Sequence, residues 1–182
     1  MSGFGASTTV VFNSTALLYK EGEKLKPMPH VVEVLKFLLG KKVRLISSFR
    51  QGERAEQSLK DIELLDFFVV DGAFRSVCPM QEDDRARALN LQPFTFWKAL
   101  KNLGIATNDG VAAVTGHFQE IKEARASGIT KVVGFYGSPS ISLGRIFAEK
   151  GSLERDVVPL SGTAFTTSNL REVPEMLGYH RY

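Results

Sequence analysis

The chain has 182 residues, room for one medium-sized domain and too few for two. Apolar side chains make up 43% of it and charged ones 24%, which excludes wholesale disorder and provides a core that needs no staples. The single cysteine, Cys78, excludes an intramolecular disulfide and a Cys-rich zinc site; the formal charge of +3 is scattered, not massed as in a nucleic-acid reader.

No apolar run approaches the ~20 residues that cross a bilayer, so no transmembrane segment is expected. The opening MSGFGASTTVVF lacks the basic-then-apolar layout of a secretory signal. The protein is expected not to be secreted; the cytoplasm and the mitochondrial matrix stay open as its location.

The elements alternate. Thr8 to Phe12 is a short β-branched and apolar run and predicts a buried strand. Pro27 and Pro29 precede Val31, Val34, Leu35 and Leu38, whose spacing predicts a helix that stops at Gly40. Val43 to Ser47 predicts a second strand, 51–62 a helix, and Asp66 to Val70 a third strand closed by Asp71-Gly72. The polar stretch 74–90 reads as an irregular loop insertion.

Phe96, Leu100 and Leu103 then mark a helix ending at Gly104, and Val111 to Val114 a fourth strand. A helical face of Phe118, Ile121 and Arg125 follows, then a fifth strand, Lys131 to Phe135. Ile141 to Lys150 predicts a weaker helix, Thr163 to Thr166 a last strand, and Leu170 to Leu177 a closing helix. Strand–helix repetition of this kind predicts one α/β domain over 1–182: a three-layer sandwich with a mainly parallel, Rossmann-like sheet.

In such sheets ligands gather at the carboxyl ends of the strands. The residues to weigh are therefore Asn13 to Thr15, Ser47 and Ser48, Asp71, Thr115 to Glu120, and Tyr136 to Ser138.

Those strand ends resemble one family. Val11-Phe12-Asn13-Ser14-Thr15 stands where haloacid-dehalogenase-like phosphohydrolases end their first strand in Asp-x-Asp-Gly-Thr, and Leu45-Ile46-Ser47 matches the Ser or Thr ending their second. Asn90, ahead of Pro93, falls where the family keeps a Lys or Arg. Val114-Thr115-Gly116-His117-Phe118-Gln119-Glu120-Ile121 aligns with Val-Gly-Asp-Thr-x-x-Asp-Ile after the fourth strand. The tail from Glu123 to Phe135 is similar to the phosphonatase-type branch.

The resemblance implies a phosphohydrolase fold whose catalytic motifs have degenerated. The family uses a carboxylate as nucleophile, a role the neutral amide of Asn13 cannot take. Thr15 stands where many members keep a general acid, and Gly116 where they keep a magnesium-binding acid. That leaves Glu120 as the one acid for a cation that wants anionic oxygen ligands. Asn90 cannot neutralise a transferring phosphoryl group, a loss that typically costs ~3 kcal/mol of barrier. The stretch from Asn13 to Ser47 is filled by a loop and one helix, so the implied protein has no cap domain.

The expectation is a non-catalytic domain with no cofactor, kept as a structural or protein-binding subunit of a larger assembly, with other protein subunits as partners. A second reading is a capless magnesium-dependent phosphohydrolase that uses Asp71 or Glu120 with Arg85 or Arg87. A third is a phosphate or nucleotide sensor built on Ser47, Ser48 and the amides of Thr115-Gly116. His117 reads as a helix cap or backbone partner. The aromatic and basic tail 178–182 reads as a docking segment or as a frayed end.

Overall fold

The computed structural model describes residues 6–49, 54–70, 72–77, 100, 103–105, 110–116, 120–121, 124–125, 127–129, 131–136 and 163–180. Its centre is a six-stranded sheet in the order β10-β9-β8-β1-β4-β7, with every neighbouring pair parallel. The strands are β1 (Thr9–Asn13), β4 (Arg44–Ser48), β7 (Ser76–Val77), β8 (Val111–Thr115), β9 (Lys131–Phe135) and β10 (Thr163–Thr167). The α/β, mainly parallel architecture expected from the sequence is the one observed.

The central strands are apolar on both faces, as a sheet covered on both sides demands. Val10, Phe12, Leu45, Val114 and Val133 enter one buried cluster, and Val11, Ile46, Ala113 and Val132 enter the other. Alternation along each strand thus serves two cores. The first core is closed by α2 (Val31–Gly40), whose Val31, Val34, Leu35 and Leu38 are buried at i, i+3, i+4 and i+7. Truncating one of these leucines to alanine would cost about 2–5 kcal/mol.

Four local readings are corrected. Between β1 and α2 the chain is not merely a loop. A single helical turn, α1 (Ser14–Leu17), leads into an antiparallel hairpin of β2 (Leu18–Glu21) and β3 (Lys24–Pro27). Gly22 opens its two-residue turn at φ 64°, a conformation glycine adopts without steric penalty. Asp66 to Val70 is not a strand of the central sheet: Leu65–Phe68 forms a 3-10 turn, and β5 (Val69–Val70) pairs, among the described residues, with β6 (Ala73–Phe74) alone. Phe68 is fully buried in that turn, so burial and not extension explains the apolar run.

Residues 74–77, expected to open an irregular loop, carry the end of β6 and the whole of β7. The closing helix is a 3-10 turn, Leu170–Glu172, followed by a short α4 (Val173–Met176). The rest of the expected insertion, the helix at 141–150 and Cys78 lie outside the described residues. α3 (Ala55–Asp61) falls within the helix expected over 51–62.

At the amino-terminal edge of the sheet the two ends of the described chain meet. Ser7 N donates to Leu177 O at 3.0 Å, and the Tyr179 hydroxyl donates to Ser7 O at 2.5 Å. The Tyr179 ring meets Phe37 of α2 edge-on, 6.4 Å between centroids. Tyr179, read as part of a docking or frayed tail, is therefore engaged within the fold. Among the described residues no helix is long and apolar enough to cross a membrane.

Candidate functional site

β4, β1 and β8 lie side by side and end at the same edge. Asn13 and Ser48 form a register pair, so both side chains leave the sheet on one face. Thr115, one position beyond the Phe12–Val114 pair, continues that face. All three are buried.

Asn13 is the N-cap of α1, in extended backbone. Its Oδ1 accepts from Thr15 N at 2.9 Å and from Thr15 Oγ1 at 2.7 Å, while its Nδ2 donates to Ser48 Oγ at 3.0 Å. A backbone N–H can only donate, so the amide oxygen must face Thr15, and the side chain's orientation follows from chemistry. Asparagine is among the best N-cap residues for this reason.

The network continues across the sheet. Gly116 N donates to Thr15 Oγ1 at 2.7 Å, and the hydroxyls of Thr15 and Thr115 lie 3.4 Å apart. Thr115 Oγ1 in turn donates to Glu120 Oε2 at 2.5 Å. Gly116 is required by its position: a Cβ there would lie 2.6 Å from Thr15 O and 3.1 Å from Thr15 Cβ. The α1 turn sits directly on β8.

These contacts bear on several expectations. The sensor reading needs open amides at Thr115-Gly116, but Gly116 N is engaged by Thr15. Ser48, not Ser47, meets Asn13. Ser47 points to the opposite face, fully buried, with its Oγ 3.5 Å from Arg75 O. The sequence shows two adjacent serines, and only the strand register distinguishes them. The structure brings Asn13, Thr15, Ser48, Thr115, Gly116 and Glu120 together, and leaves Ser47 apart. Asp71, Arg85, Arg87, Asn90 and His117 lie outside the described residues.

A magnesium ion, as the resemblance implies for the family, would want several anionic oxygens. In this network the one carboxylate is that of Glu120, already accepting from Thr115, and the oxygen of Asn13 is uncharged and holds two donors. Among the described residues no three His, Cys, Asp or Glu side chains group as a metal site would require. The donor set that the described residues bring to the network does not fit a divalent cation.

No family model matches the sequence, and no curated protein does. Solved structures match over most of the chain. One is a Thermotoga maritima protein provisionally assigned as a beta-phosphoglucomutase, 16% identical, with a TM-score of 0.63 over 93% of this chain and 98% of that one. The fold is that of the haloacid-dehalogenase-like hydrolases. A Had-superfamily hydrolase from Ehrlichia chaffeensis is 10% identical, with a TM-score of 0.57 over 95% and 97% of the two chains. The cobalt-bound deoxy-D-mannose-octulosonate 8-phosphate phosphatase from Haemophilus influenzae is 12% identical, with a TM-score of 0.53 over 94% and 87%. At these identities the likeness is one of fold.

Proposed function

We propose that this chain is a capless, catalytically inactive domain of the phosphohydrolase fold, related to the phosphonatase-type branch, that works as a structural or protein-binding subunit. One observation carries the reading. At the end of β1, where the resemblance places a nucleophilic carboxylate, Asn13 has both ends of its amide bound inside the protein. An amide is no nucleophile for phosphorus, and this one caps a helix turn and ties β1 to β4.

The solved structures similar to this chain include phosphatases, so inactivity has to be tested directly. Purified protein incubated with Mg²⁺ and p-nitrophenyl phosphate is expected to release no nitrophenol above a protein-free blank. Turnover that Glu120→Gln abolishes would overturn the reading. The subunit role has its own test: protein purified from its native source should elute in a larger assembly, and elution as a lone 20.1 kDa chain would contradict it.

A further inference from the structure

The strand-end network contains a pattern that recurs elsewhere in the fold. Thr115 ends β8 and donates to the carboxylate of Glu120, five residues on, at 2.5 Å. Thr167 ends β10 and donates to the carboxylate of Glu172, also five residues on and at 2.5 Å. Thr167 Oγ1 also accepts from Asn169 N at 3.0 Å, and the Asn169 side chain accepts from Arg171 N, so this copy closes the turn into the final helical segment. β10 is an edge strand of the described sheet, separated from β1 by β9 and β8. The Thr–Glu pair there serves strand-to-helix closure with no neighbouring Asn13 or Thr15.

Glu120 therefore has a structural use that needs no ion. The second fact is steric. The space beside Gly116 is not a gap left by a missing side chain, because the Thr15 carbonyl fills it; even one carbon added there would stand 2.6 Å from that oxygen. A backbone atom cannot swing aside as a long side chain does, so a larger residue must displace the α1 turn. That turn is fixed in its place by Asn13 and by the Gly116 amide itself.

We infer that the Asn13–Thr15–Ser48–Thr115–Gly116–Glu120 cluster is a cation-independent staple joining the ends of β4, β1 and β8, and that Gly116 locks it sterically. Acids placed at 13 and 116 would not convert it into a magnesium site. Asp at 13 is accommodated, since Thr15 N, the Thr15 hydroxyl and the Ser48 hydroxyl are all placed to donate to a carboxylate. Any side chain at 116 forces the turn off β8. The inference deepens the inactive-domain reading and rests on it for the positions compared. Its failure is separable: hydrolysis by the wild-type protein would sink that reading and leave the lock standing, whereas a harmless side chain at 116 would do the reverse.

The test is thermal unfolding of the full chain as wild type, Asn13→Asp, Gly116→Ala and the double variant Asn13→Asp/Gly116→Asp, each with and without millimolar Mg²⁺. Gly116→Ala should lower the midpoint by roughly 3–10 °C, the range expected for overpacking in a domain of this size. Failure of that variant to fold is the extreme of the same effect. Asn13→Asp should fold, lose at most a few degrees, and show no Mg²⁺-dependent rise. A Gly116→Ala midpoint equal to wild type would overturn the lock. A rise of several degrees in Mg²⁺, in Asn13→Asp alone or in the double variant, would overturn the cation-independent staple.

Discussion

The ends of β8 and β10 use the same residue pair and differ in what surrounds it. At β10, Glu172 is exposed and the pair closes a local turn; at β8, Glu120 is buried and the pair continues into a network spanning three strands. Water can replace a lost partner in the first case and cannot in the second. What sets the β8 end apart from this local closure is the Asn13–Thr15–Gly116 contact that seats α1 on β8. A strand-end carboxylate in this fold is thus not by itself a sign of metal chemistry.

The largest effect is expected at Asn13. Asn13→Ala removes a helix cap and leaves Thr15 N, Thr15 Oγ1 and Ser48 Oγ without their partner in a buried place. The expected loss is about 3 kcal/mol, or roughly 6–12 °C in the unfolding midpoint. A loss under a degree would mean the network contributes nothing.

Paired valine variants separate the two strand ends. Thr115→Val should cost about 1–3 kcal/mol, because it strips a donor from a buried carboxylate, whereas Thr167→Val should cost under about 1 kcal/mol. Equal losses in denaturant titrations would show that burial does not distinguish the two ends.

The opposite edge of the sheet gives the smallest effects. Tyr179→Phe deletes the hydroxyl bond to Ser7 O and should cost about 1 kcal/mol. Burial pushes the Tyr179 phenol above its ordinary value of 10.0. The unfolded chain therefore gives up this proton at a lower pH than the folded one, so the Tyr179 contribution declines as pH rises through 10. Lys131, whose ammonium burial pushes below 10.5, works in the other direction at the same edge. Subtracting the Tyr179→Phe profile from that of wild type isolates the tyrosine, and a difference that grows with pH would contradict the assignment.

The sheet was legible because β-branched runs such as Val10-Val11-Phe12 and Lys131 to Phe135 announce buried parallel strands without any knowledge of their partners. The run Asp66 to Val70 misled for the same reason: Phe68 is apolar because it is buried, and a 3-10 turn buries it as well as a strand would. The β2–β3 hairpin escaped notice because Lys20, Glu21, Glu23 and Lys24 are exposed, so no alternation marks it. Within the candidate site the important position, Asn13, could be read from the strand end alone. Its partners could not. Choosing Ser48 over Ser47 depends on register, and the need for glycine at 116 arises from the carbonyl of Thr15, a hundred residues away in sequence and in direct contact in space.

The most direct measurement is a phosphatase assay of the untouched protein across several phosphomonoesters with Mg²⁺, alongside Glu120→Gln. The account predicts that neither protein turns over any of them. Hydrolysis by the wild type that vanishes in Glu120→Gln would show a working phosphohydrolase and contradict it.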